Sequence, residues 1–412
     1  MKLFTTKNNL QFKFLLTLST AYLATSINMQ GFMALMPFIK EDFALTRAQA
    51  GMYSTFFFLT ATLIAIFSGR IVDLIGSKKG IVFGASSVGI LIILHSVAPS
   101  FIMILILALF TGLGFSIITP SVNKAVMQRV KPQNRAISMG IMQSGGGIGG
   151  FLGASLLPIL GEYLGWRMAI LFSGVFALTM GLFISKTYQE TKLNNSTKEK
   201  ESRESFKDSF AILLKNKRLM AVCILGLAFG TSIGAIPAHY TIYLHQDLHL
   251  TRTMAGLSLG ILQIGGIIGR PAWGWISDKL LNGSRTKGLI LVGATLTLIS
   301  FIFSFYITVF SPPLPLIFFF SFLLGIVGLG WMGLHFTTIA ELASEKYTGI
   351  ATGLALIFTR SGVVISPPLF GYLADLTNTY QYSWLAAGIL IMSFTILFRV
   401  VFNRLNHSRK EI

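Results

Sequence analysis

The sequence predicts an all-α membrane protein, twelve transmembrane helices in two pseudo-symmetric halves of six, on three observations. Of the 412 residues, 53% are hydrophobic and only 12% charged, with a mean hydropathy of +0.70, whereas a soluble domain carries about a quarter charged residues. A soluble enzyme is excluded. Apolar runs of about 20 residues, long enough to cross roughly 30 Å of hydrocarbon as a helix, recur along the whole chain. They are continuous rather than alternating, which selects helices over a barrel. Finally, the sequence echoes itself at a constant offset of 205 residues.

The runs lie near 12–39, 46–69, 79–98, 101–127, 136–161, 166–186, 218–244, 252–277, 287–309, 314–340, 348–374 and 380–402. Lys2, Lys7 and Lys13 precede the first, but it is too long for a signal peptide and no small-residue cleavage site follows, so it is kept as a membrane helix. The polar stretch 187–217 reads as a linker, giving an N-terminal half 1–186 and a C-terminal half 218–412. Cys223, the single cysteine, makes no internal disulfide.

Charge gives orientation. Of the 33 Lys and Arg against 15 Asp and Glu, 26 fall on the side shared by the termini and the linker. Only Lys40, Arg47, Arg167 and Arg252 fall on the other, so both termini are expected in the cytoplasm of a multi-pass inner-membrane protein. No aromatic-interleaved basic patch remains to bind nucleic acid. Lys124, Arg270 and Arg360 are left inside the spans, where no Asp or Glu lies.

The internal echo pairs Asp42-Phe43-Ala44-Leu45-Thr46-Arg47-Ala48-Gln49-Ala50-Gly51 with Asp247-Leu248-His249-Leu250-Thr251-Arg252-Thr253-Met254-Ala255-Gly256. The same offset carries Gly69 and Asp73 onto Gly274 and Asp278, across a whole span. Parallel six-span repeats are a transporter architecture, with a midplane site and alternating access. The stretch Gly69-Arg70-Ile71-Val72-Asp73-Leu74-Ile75-Gly76-Ser77-Lys78-Lys79-Gly80 resembles the loop 2-3 signature of the major facilitator superfamily, and Gly274 to Lys287 is similar to its second copy. Gly165-Trp166-Arg167 also resembles that family, whose usual arginine after the second glycine is here Ser77. Gly69, Asp73, Gly76, Lys78, Lys79, Gly274 and Asp278 are accordingly expected to serve conformational switching: Gly69 by allowing close helix approach, Asp73 by facing a helix N-terminus, the lysines by holding the loop in the cytoplasm.

Substrate chemistry is expected from polar groups inside the membrane. Arg270 shares a helix face with Gln263 and Gly266, and a membrane arginine is costly unless it meets water or a partner. Its repeat-equivalent is Ala65, so symmetry does not demand it. Arg360, opposite Gln143 by the match of Ser144-Gly145 with Ser361-Gly362, either faces the cavity or bonds carbonyls freed by Pro367 and Pro368. Lys124 either binds ligand or snorkels to the interface. Asn28, Asn123, Tyr240 and His335 are neutral candidates, with His335 and His239 as possible proton carriers. Gly145, Gly149 and Gly153, like Gly226, Gly230 and Gly234, have the spacing of close helix contacts.

Arg270-Pro271-Ala272-Trp273-Gly274 resembles an element of the monocarboxylate branch of the superfamily, in which the arginine binds the substrate carboxylate; that branch has an acid one turn earlier, where this chain has Gly266. The resemblance implies a secondary transporter of a small organic anion, a monocarboxylate, coupled to protons or a counter-anion, working as a monomer in the bilayer without cofactor or metal. The alternatives are an exporter of hydrophobic or cationic compounds, disfavoured by the lack of a Gly-Pro element in the run Gly145 to Gly153, and a transport-incompetent sensor.

Overall fold

The computed structural model describes residues 6–130, 135–188, 212–343 and 347–407, and no strand occurs among them. The first-half helices are α1 (Thr6–Ala34), α2 (Met36–Asp42), α3 (Arg47–Ile75), α4 (Ser77–Ser96), α5 (Phe101–Arg129), α6 (Arg135–Leu164) and α7 (Trp166–Thr187). They are followed by α8 (Lys217–Gln246), α9 (Arg252–Trp275), α10 (Arg285–Ile302), α11 (Leu314–Gly328), α12 (Met332–Leu342), α13 (Thr348–Thr377) and α14 (Gln381–His407). Among the described residues, ten helices are long and apolar enough to span a membrane, or eleven if the bent pair within α3 is one span. The first predicted span is occupied by α1, and α11 with α12 forms the tenth. Most of the linker, 189–211, lies outside the described residues.

Helix starts are fixed by local chemistry. Ser100, Asn216 and Ser284 accept the backbone N–H groups of Met103, Leu219 and Lys287, satisfying donors that a first turn leaves orphaned. Gly76 and Gly165 instead open α4 and α7 at φ 90°, ψ 160° and φ 81°, ψ 151°, a region open essentially to glycine alone.

Without a hydrophobic drive between helices in lipid, packing follows small residues. A Cβ on Gly145, Gly149 or Gly153 of α6 would run into the carbonyls of Ser19, Leu23 and Ile27, so α1 and α6 touch backbone to backbone. On α8, Gly230 and Gly234 meet the carbonyls of Thr359 and Val363 of α13 in the same way. Both glycine ladders thus do what their spacing predicts.

The chain forms two compact units. One comprises Met1–Ala44, Phe56–Lys198 and Thr251–Gly260; the other comprises Leu45–Thr55, Glu199–Leu250 and Ile261–Ile412. Each therefore takes in a short segment from the other side of the sequence, and each segment begins within one copy of the echo. In the second unit Arg47 bonds the Asp247 carboxylate (3.3 Å) and the Ala374 carbonyl (2.7 Å), while Asp375 accepts the N–H groups of Arg47 and Ala48 (2.8 Å each). In the first unit Arg252 pairs with Glu41 and lies over the Phe38 ring. The echoed glycines are the crossing points: a Cβ on Gly51 would sit 2.6 Å from the Pro367 carbonyl, and one on Gly256 2.6 Å from the Ala154 carbonyl. The repeat encodes two equivalent straps.

Candidate functional site

The two loops expected to switch are built from echoed carboxylates with different partners. Lys124 of α5 donates to Asp73 (2.9 Å) and to the Val72 carbonyl (3.1 Å). Lys124 is thus paired within the protein, and Asp73 meets a cation rather than a helix N-terminus. Asp278 instead pairs with Arg285, which also bonds Glu341 (3.0 Å) and Ser277 (3.1 Å). Lys79 is exposed and Lys78 half-buried. Ser77 is fully buried between Gln128 and Tyr188, at 3.2 and 3.0 Å, so the position is a packed hydroxyl site with no space for an arginine. Gly69 corrects the expectation of close approach: a Cβ there, or on Gly274, would meet nothing within 4 Å.

The intramembrane polar residues separate by whether their hydrogen-bonding groups are used. Tyr240 is fully buried in an aromatic cluster with Tyr243, Phe303 and Trp384. Its hydroxyl donates to Ser321 (2.7 Å), whose own proton goes to the Ile317 carbonyl. The Tyr240 proton is therefore taken within the protein, and its oxygen is left only as an acceptor. His239 is likewise used at both nitrogens: Nε2 donates to the Pro367 carbonyl (2.7 Å), so in the neutral ring Nδ1 accepts from Tyr380 (3.0 Å). Both bonds tie α8 to the C-terminal half of α13 and the start of α14. His335 donates through Nε2 to the Val222 carbonyl (3.1 Å), and its Nδ1 has no partner.

Thr359, which the sequence reading passed over, sits beside His335: a Cβ on Gly226 would meet His335 Nε2 and Thr359 Oγ1 (3.0 Å) together, and Thr359 Oγ1 is also buried without a partner. Gln263 is buried with Nε2 unpartnered. In the other unit, Asn28 donates to the Ala24 and Ser173 carbonyls (2.8 and 3.3 Å), bonding helix to helix, while its Oδ1 and that of Asn123 are unpartnered. Gln143 lies on α6, outside the residues whose side chains are described. Buried polar atoms are nearly always satisfied, so a set of orphans within membrane helices marks where water or a ligand completes the bonding.

The arginines differ. Near Arg360, the carbonyl that Pro368 frees, that of Val364, accepts a hydrogen bond from Thr55 (2.6 Å). Arg270 is exposed at the protein surface and makes no hydrogen bond or ion pair among the described residues. Every described carboxylate lies at a helix end or in a loop. Next to Arg270, α9 is locked against α11 by Trp273, whose indole donates to the Ile326 carbonyl (2.9 Å). A Cβ on Gly266 would lie 2.8 Å from that of Leu329, so the turn before Arg270 packs too tightly for a carboxylate.

A helical membrane chain with echoed halves, charged loop pairs at the same helix junction in each, and polar orphans within the spans has the construction of a transporter. Comparison with known proteins agrees: the sequence model of the Major Facilitator Superfamily matches residues 18–307 and 240–412, and the chain belongs to that family. It is 22% identical over 367 residues to the hexuronate transporter of Bacillus subtilis, covering 85% of each chain. It is 25% identical over 344 residues to monocarboxylate transporter 12 of Xenopus laevis, covering 78% of this chain and 73% of that one. With a probable sulfoacetate transporter of Cupriavidus necator it shares 21% identity over 373 residues, 86% of this chain and 85% of that one. Among solved structures, a bacterial homolog of the human lysosomal transporter Spinster, in an inward-facing and occupied conformation, matches with a TM-score of 0.81 at 15% identity, over 95% of this chain and 97% of that one.

Proposed function

We propose that the protein is a secondary transporter moving a small organic anion, a monocarboxylate, across the cytoplasmic membrane by alternating access of halves 1–186 and 218–412, with both termini cytoplasmic. The observation that carries this reading is Arg270, a cation inside a span with no protein partner among the described residues. A fixed guanidinium holds a carboxylate with two parallel hydrogen bonds, and an arginine kept unpaired in a membrane is functional by default. The relatives named for hexuronate, monocarboxylate and sulfoacetate, all organic anions, support the class. Gln263, two turns away on the same helix face, and the orphaned groups of His335 and Thr359 are the polar complement proposed for the rest of the substrate. Coupling is to a proton or a counter-anion, and His335, with its free Nδ1, is the residue proposed to carry the proton.

The test is uptake of labelled monocarboxylates by the purified protein in liposomes. Arg270→Ala should abolish uptake while the protein remains folded, and His335→Gln should spare exchange while removing accumulation driven by a pH gradient. Normal uptake by Arg270→Ala overturns the site. Thermal stabilisation of the wild-type protein by lipophilic cations and by no carboxylate overturns the substrate class.

A further inference from the structure

A cavity of about 570 Å³ opens where the start of α1 meets the ends of α5 and α7, on the side of the chain termini. Its size falls within the roughly 300–1,000 Å³ usual for ligand pockets. Among the described residues two cations line it, Lys13 and Arg129, and no carboxylate does. Neither makes an ion pair among the described residues. The Arg129 guanidinium is held 4.8 Å over the Phe14 ring, which fixes its plane and leaves its edge of N–H donors open. Deeper in the membrane the wall is apolar and unpacked: Leu16 is 54% and Phe183 48% exposed. The hydroxyls of Thr17, Thr20 and Thr187 all donate to carbonyls of their own helices. Anion binding in this cavity therefore falls to Lys13 and Arg129.

Cations at the membrane surface above a greasy groove match one kind of molecule, a lipid with an anionic head. Basic pockets between membrane helices on the side that attracts Lys and Arg recognise such headgroups, and each cation near the surface adds about 1 kcal/mol. We infer that Lys13 and Arg129 bind the phosphate of an anionic phospholipid from the adjacent leaflet, with its acyl chain laid over Leu16 and Phe183. The site is distinct from the proposed transport site and does not depend on the substrate.

The experiment uses the full chain purified into phosphatidylcholine nanodiscs with increasing phosphatidylglycerol, read by thermal stability and by the lipid that stays bound in native mass spectrometry. Phosphatidylglycerol should stabilise the wild type and remain bound. Lys13→Gln with Arg129→Gln should weaken that preference roughly ten-fold or more, the size expected of two surface cations. Arg399→Gln, which removes an exposed cation outside the cavity, should leave it unchanged. Should the double variant not fold, Lys13→Gln alone and Arg129→Lys, which keeps the charge and loses the planar fork, give the same reading in smaller steps. Three results overturn the inference: equal stabilisation by phosphatidylcholine, an equal loss in Arg399→Gln, or full stabilisation by inorganic phosphate or glycerol phosphate, which would make this a site for free anions.

Discussion

Arg270 makes a prediction in which stability and function move in opposite directions. Because no ion pair is lost, Arg270→Met should stabilise the ligand-free protein by about 1 kcal/mol, the low end of what replacing buried ions by apolar side chains returns, since this arginine is exposed at the protein surface. The same variant should lose all stabilisation by carboxylates. Melting curves with and without a carboxylate panel check both halves, and a melting temperature that falls would mean that Arg270 is structural. At this scale the sequence is a partial guide. Arg270 is legible because charge in an apolar helix is conspicuous and helical spacing places Gln263 on its face. Thr359 is not, because threonines in membrane helices ordinarily bond back to their own carbonyls, as Thr25 and Thr111 do here. What sets Thr359 apart is a missing bond, which only coordinates reveal. Tyr240 errs the other way: its hydroxyl looks available until α11 brings Ser321 to it.

Helices and their junctions explain most of the glycines, and the explanations predict opposite signs. Gly149 of α6 lies against the backbone of α1, whereas a Cβ on its neighbour Gly146 would meet only ordinary contacts, the closest 3.4 Å from Ser26. Gly149→Val should cost about 3 kcal/mol, the upper end of overpacking costs, by forcing the helices apart and lower recovery of monodisperse protein; Gly146→Ala should be tolerated. In the switch loop, Gly76→Ala should cost about 1–3 kcal/mol through its backbone geometry alone. Gly69→Ala, in a helix with open space beside it, should gain up to about 1 kcal/mol by helix propensity. Thermal unfolding of the two variants separates them, and a destabilised Gly69→Ala would restore close approach as the reason for that glycine. The ladder on α6 was legible because its four-residue spacing repeats. Gly69 was misread because a motif names the residue without its neighbours. Lys124 was ambiguous for a related reason: Asp73, its partner, is 51 positions away, a pairing set by how α3 and α5 pack.

Across the whole molecule, the repeat is both the most legible feature and the one whose meaning the sequence withheld. The offset of 205 residues announces two halves, but not that the later part of each echoed segment is built into the compact unit of the other side. The reason is physical: Arg47 and Arg252 open their helices with side chains whose carboxylates, Asp247 and Glu41, lie about 200 residues away along the chain. The side chains of Arg47 and Asp247 are only 14% and 5% exposed, so breaking the pair on one side alone leaves a largely desolvated charge, at about 3–5 kcal/mol. If the halves move against each other as proposed, such straps have to release and reform in each cycle, and a covalent link across one should stop transport without unfolding the protein. Cys223, the one native thiol, is buried and can be removed as Cys223→Ala. In that background, Arg47→Cys with Asp247→Cys would be joined by a short bifunctional thiol reagent in proteoliposomes. Anion exchange should be arrested by the linked protein, with each single cysteine variant treated alike retaining it and carboxylate-dependent thermal stabilisation surviving the link. Undiminished exchange in the fully linked protein would show that Leu45–Thr55 stays with its unit throughout the cycle, making the strap a permanent part of the fold.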